Sequence, residues 1–136
     1  MRYWRVWILM AALLLYACDK PTTVELVAAG KAEVCTSPEV LEQLNTAILP
    51  GGTKPGVSLI AVEATALRSQ PEEKAVECAA SMRISRDGKT PWSSTAIDVA
   101  YRVQVDLVNP RKITLFGSFS QASYSAAIVL RALRVT

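Results

Sequence analysis

The stretch that decides the fold is Ile97-Asp98-Val99-Ala100-Tyr101-Arg102-Val103-Gln104-Val105-Asp106-Leu107. It runs in period two. Ile97, Val99, Tyr101, Val103, Val105 and Leu107 share one face, and Asp98, Arg102, Gln104 and Asp106 take the other. Successive side chains of a strand point to opposite faces, so the pattern predicts a strand with one buried and one wet side. Strands of that kind belong to antiparallel sheets, because parallel sheets are covered on both faces.

Working outward, residues 74–85 repeat the period. Val76, Cys78, Ala80, Met82 and Ile84 point one way, and Glu77, Ala79, Ser81, Arg83 and Ser85 the other. Arg86-Asp87-Gly88-Lys89 reads as a turn between the two runs. Residues 57–67 are rich in branched side chains and read as a preceding strand. Asn109-Pro110 turns the chain again, and residues 112–119 make a fourth strand.

Ahead of the strands lies a well-punctuated helix. Ser37 can cap it, Pro38 suits its first position, and Glu39 favours the positive end of the helix dipole. Val40, Leu41, Leu44 and Ile48 fall on one face, Glu42, Gln43 and Asn45 are expected to face water, and Pro50-Gly51-Gly52 ends the helix. Residues 51–56 read as a loop. The tail, residues 120–136, reads as a helix carrying Tyr124, Ala127, Ile128, Arg131 and Leu133, with Ser120 near its cap; a fifth strand is the alternative. The expected fold class is α+β, with a helix packed across a four-stranded antiparallel meander. That layout is similar to cystatin-like and NTF2-like half-folds over residues 35–119. The resemblance is architectural and carries no functional residues across.

The chain opens with Arg2 and Arg5 and an apolar run of twelve residues, 6–17. A bilayer span needs about 20 apolar residues, so the run has the size of a secretory signal's apolar region. It closes in Leu15-Tyr16-Ala17-Cys18, which resembles the lipobox of bacterial lipoproteins. The resemblance implies removal of residues 1–17 as a signal peptide and attachment of lipid, such as palmitate, to the Cys18 sulfur. It implies a cell-envelope protein held at a membrane, with its domain on the periplasmic or extracytoplasmic side. Asp19 after such a cysteine looks like the signal for inner-membrane retention. Residues 18–34 are then expected to be a lipidated tether ahead of a domain at 35–136. The last 16 of them, fully extended, would reach roughly 50 to 58 Å. The alternative is that residues 24–27 add an edge strand or a helix turn to the domain.

In an exported protein whose first cysteine is lipidated, the remaining pair, Cys35 and Cys78, reads as a disulfide. It would pin the start of the helix to the apolar sheet face on which Cys78 lies. A two-cysteine metal site would lack partners, since the chain has no histidine.

Composition excludes further classes. Arg2 and Arg5 belong to the signal; without them 13 basic residues oppose 12 acidic ones, so the formal charge of +3 overstates the basicity of the domain. No run of Lys or Arg forms a phosphate-binding stripe, and Trp92, Tyr101, Phe116, Phe119 and Tyr124 build no evident stacking platform. Nucleic acid is therefore not an expected partner, and no cofactor, metal or small-molecule substrate is implied.

Catalysis is also unsupported. A hydrolase needs a nucleophile, a base and a group to orient that base, and without histidine the common pairings are impossible. Lys74 and Lys89, the lysines of a conceivable Ser-Lys dyad, fall at a strand start and in a turn. The carboxylates Glu72, Glu73, Glu77, Asp98 and Asp106 are more simply solvated cross-strand partners of arginines. The Gly51-Gly52 and Lys54 cluster lacks the ending of a phosphate loop. The expectation is a protein that is not an enzyme.

Contact surfaces remain. The polar sheet face, with Glu77, Arg83, Asp98, Arg102, Gln104 and Asp106, is the first candidate for partner binding. Trp92, in the loop 89–94, is the second, either as an exposed anchor or as a cap on the edge of the sheet. The expected role is a non-catalytic protein-binding module of the envelope. An immunity or exclusion lipoprotein that blocks a toxin, phage or conjugating plasmid is one alternative, and an accessory subunit of a secretion or pilus assembly is another.

Overall fold

Both alternating runs become neighbouring strands of one sheet. The computed structural model describes residues 20–51 and 56–134; Cys18, Asp19, the Leu15-Tyr16-Ala17-Cys18 motif and the Gly52 and Lys54 positions lie outside them. Strands β1 (Ser58–Gln70), β2 (Ala75–Ser85), β3 (Ile97–Val105) and β4 (Ile113–Phe116) form an antiparallel meander in the order β1-β2-β3-β4. Helices α1 (Thr23–Ala28), α2 (Pro38–Ile48) and α3 (Ser120–Ala132) accompany it. The fold is α+β, with a C-terminal helix in place of a fifth strand.

The core fills the space between the helices and the inner sheet face. Val76, Cys78, Met82, Ile84 and Val103 are fully buried, as are Val40, Leu44 and Ile48 of α2. Each such aliphatic side chain contributes about 1.5 to 3 kcal/mol relative to exposure. The Cys35–Cys78 disulfide joins the 3₁₀ helix Ala32–Thr36, just ahead of α2, to the middle of β2. Beside it the Tyr101 hydroxyl donates to the Cys35 carbonyl oxygen at 2.5 Å.

Four expectations need correction. First, the tether folds. Thr22 caps α1 in a reciprocal capping box with Glu25, and Val27 and Val34 are fully buried, because their apolar side chains complete the core over β2 and β3. Second, Asn45 does not face water: it is buried and bonded to the Leu59 backbone, with Oδ1 accepting from N–H at 2.7 Å and Nδ2 donating to C=O at 3.1 Å. Third, Leu107 is not an inward residue, since β3 ends at Val105 and Asp106 opens the following turn. Fourth, Ser37 holds the cap position of α2, yet its buried hydroxyl makes no hydrogen bond, and α2 starts on Pro38 alone.

β1 departs from strict alternation in an ordered way. Its register against β2 shifts between Ala61 and Glu63 and again between Ala66 and Arg68, leaving Val62 and Leu67 as extra residues in two bulges. Each bulge exchanges the inward and outward sets. Glu63, Thr65 and Arg68 therefore stand opposite the outward residues Ser81, Ala79 and Glu77 of β2.

The tail forms the helix α3 with one face buried. Ala122, Ala126, Val129 and Leu130 face the core, while Tyr124, Ala127 and Ile128 lie outside.

Candidate functional site

The helices cover one sheet face and leave the other open, so the register of the strands decides what the open face presents. Across β2 and β3, Glu77 stands opposite Arg102, Ala79 opposite Ala100 and Ser81 opposite Asp98. β1 adds Thr65 beside Ala79 and Glu63 beside Ser81. The centre of the face is thus a floor of small side chains. It forms a trough of about 450 Å³ with the Glu63 and Asp98 carboxylates on its rim. The expected mixed-charge surface exists only around this floor.

Arg102 closes one end. Its guanidinium donates to Gln70 Oε1 at 2.7 Å and to Gln104 Oε1 at 3.2 Å, pairs with Glu73, and lies 3.8 Å from Glu77 Oε1. These partners tie the β1–β2 turn to β3. An ion pair this exposed contributes at most about 1 kcal/mol, so the cluster acts mainly to set geometry. Phe116, half-exposed on β4, stands directly across from Arg102.

Of the contact residues expected from the sequence, Glu77, Arg83, Asp98 and Arg102 share this face. Arg83 is opposite Ile60 of β1, and its Nε is buried without a partner. Trp92 does not join them. It is half-buried against the core beyond the end of β2, where its backbone N–H donates to the Ile84 carbonyl oxygen at 2.8 Å. The Arg86 guanidinium lies 3.5 Å from its ring centroid. Trp92 is a cap on the sheet edge.

The loop under Trp92 is organised by Asp87. Its carboxylate accepts from the backbone and hydroxyl of Thr90, the backbone of Lys89 and the hydroxyl of Ser85, and these bonds hold its pKa well below the usual carboxylate range. In the core, burial pushes the Tyr101 hydroxyl up to about 12. Neither group lines the trough. Among the described residues no cluster of three or more His, Cys, Asp or Glu is placed to hold a metal, and no helix is long and apolar enough to cross a membrane.

No family model, curated protein or solved structure matches this chain. A role has to come from the chemistry of the site itself. Methyl groups flanked by two carboxylates offer contact area and charge complementarity to a partner. The features that build the trough were partly visible in the sequence, since Ala79 and Ala100 both fall at outward positions of the alternation. Its β1 wall was not, because the bulges re-phase Glu63 and Thr65.

Proposed function

We propose that this protein is a non-catalytic binding module of the bacterial envelope, held at a membrane through lipid on Cys18, that engages another envelope protein with the open face of its sheet. The observation that carries this reading is the trough over Ala79 and Ala100. An exposed sheet face is ordinarily covered by long polar side chains; a floor of alanine, serine and threonine leaves room for side chains of a partner. Two further features support it. A buried disulfide suits an oxidising compartment outside the cytoplasm, and confinement at a membrane raises the effective concentration of a partner in the same envelope. Assembly by strand addition is less favoured, because two bulges interrupt the β1 edge.

The test compares wild type, Cys18→Ala and the double variant Ala79→Arg/Ala100→Arg after cross-linking in intact envelopes. Mass spectrometry reads both acylation at Cys18 and the cross-linked partner. Acylated wild type whose partner is lost when the trough is filled supports the reading. An unmodified Cys18 overturns the lipid anchor, and an unchanged partner in the folded arginine variant overturns the face.

A further inference from the structure

The turn between β3 and β4 carries two aliphatic side chains with almost nothing over them: Leu107 is 91% exposed and Val108 94%. The turn is firmly held. The Asp106 carboxylate accepts from the Val108 N–H at 2.7 Å, the Asn109 N–H at 2.9 Å and the Thr114 hydroxyl at 2.9 Å. The Asn109 side chain accepts from the Arg111 N–H at 3.1 Å, and the Asp106 N–H donates to the Lys112 carbonyl oxygen at 2.9 Å. Leu107 and Val108 are therefore a fixed apolar wedge whose ordering cost is met within the fold.

Charge sits immediately behind the wedge. Arg111 and Lys112 are exposed, and neither forms an ion pair among the described residues. The one acid of the turn, Asp106, is engaged by three donors, and Lys112 beyond them also helps to hold its pKa down, which leaves Arg111 as the freer charge. In the neighbouring β1–β2 turn Glu73 is taken by Arg102, leaving Glu72. Adjacent aliphatic residues backed by unpaired cations match the layering of an anionic bilayer surface, with headgroup phosphates above hydrocarbon.

The point where the chain enters the domain fits the same surface. α1 packs on β2 and β3, and Gly30 beyond it lies against Ser69 and Pro71, at the end of the sheet that also carries the β3–β4 turn. A Cβ at Gly30 would fall 2.0 Å from the Ser69 hydroxyl oxygen, and its φ is +67°, so this close seat requires glycine. α1 is about 9 Å long, which keeps Thr22 in the half of the sheet that bears the wedge. From Cys18 to Thr22 the chain can reach at most about 14 Å. A lipid on Cys18 would hold this end of the domain against the bilayer.

We propose that Leu107 and Val108 insert into the interfacial layer of an anionic membrane, with Arg111 and Lys112 contacting lipid phosphates. The wedge is a second membrane contact beside the chain's anchor, and its placement rests on the membrane-anchored reading above. An anchor on Cys18 with two or more acyl chains is stable by itself; the wedge with its two cations would add orientation, setting which end of the domain meets the bilayer.

The test places p-benzoylphenylalanine in the full chain, in turn at Leu107, at Lys20 beside the anchor, and at Val62 on the opposite edge strand. Each protein is incorporated into phosphatidylcholine vesicles with and without phosphatidylglycerol at roughly one lipid in three. Photoadducts are identified by mass spectrometry. The expected result is lipid adducts from Leu107 and Lys20 but few from Val62. The Leu107 adducts should increase with phosphatidylglycerol and fall about tenfold in Arg111→Gln/Lys112→Gln. Lipid adducts at Lys20 with Leu107 no better than Val62 would overturn the wedge and leave the anchor standing. Adducts at Leu107 without any at Lys20 would uphold the wedge and overturn the anchor, and adducts at neither would overturn both. Protein adducts at Leu107 in place of lipid would overturn the wedge in favour of a protein contact.

Discussion

Asn45 of α2 pairs with Leu59 of β1 as a strand residue would, its side-chain amide accepting from the Leu59 N–H at 2.7 Å and donating to the Leu59 C=O at 3.1 Å. The same amide nitrogen also donates to the Leu41 carbonyl oxygen at 2.8 Å. One side chain thus satisfies both backbone groups of a residue on the unpaired side of an edge strand and fixes α2 to the sheet. Asn45→Ala would leave the two Leu59 groups buried without partners. Each such group costs about 1 to 3 kcal/mol, so the variant is expected to lose roughly 3 kcal/mol. Urea unfolding checks this: the midpoint should fall while the slope stays unchanged.

The Cys35–Cys78 bridge spans 43 residues of sequence. Its removal in Cys35→Ala/Cys78→Ala should destabilise the domain by about 4 kcal/mol, chiefly by releasing the unfolded chain. Wild type unfolded with a reducing agent present should match the double variant. A much smaller loss would mean that the unfolded chain is already compact.

Tyr101 gives an alkaline signature. Burial raises its pKa to about 12 in the folded protein, against about 10 in an unfolded chain. A raised folded value means that its contribution is complete below pH 10 and is lost as pH rises through the folded value. Wild-type stability should therefore decline by roughly 2 kcal/mol between pH 10 and 12. Tyr101→Phe should lack that decline, while being less stable at pH 7 through loss of the bond to the Cys35 carbonyl oxygen.

Asp106 gives the opposite signature. The Asn109 N–H, the Thr114 hydroxyl and the Val108 N–H hold its pKa below the ordinary carboxylate value. A lowered folded value means stability that is present above about pH 4 and lost as pH falls through the folded value. Asp106→Ala should be less stable than wild type at pH 7, and the gap should close in acid. Amide exchange at Val108 and Asn109 should quicken in the variant at neutral pH, because both lose their acceptor.

Side-chain period was enough to find β2 and β3, where one residue inward and one outward persists for the whole strand. On β1 the branched run marks the strand but not its facing, because a bulge is a backbone event: Val62 and Leu67 look like ordinary members of an apolar run and betray no insertion. Two other features are legible in the sequence. Thr22 and Glu25 have the spacing of a capping box ahead of Leu26 and Val27, which marks α1. Asn45 lies at helical spacing from Leu41 and Ile48, on the edge of the apolar stripe and not opposite it. The disulfide followed from cysteine count and the expected export. The trough needed the register between three strands, which no local pattern specifies.

The two bulges have a consequence for crowding. β1 is thirteen residues long and lies at the edge of the sheet, and an unbroken edge of that length would be a seam along which identical molecules could zip together. The register breaks cut it into runs of four, four and three paired residues, 58–61, 63–66 and 68–70. Each run is shorter than a typical strand, and each break turns the backbone out of line for the next. Copies packed side by side can therefore touch at this edge without propagating a shared sheet, so high local density need not become aggregation.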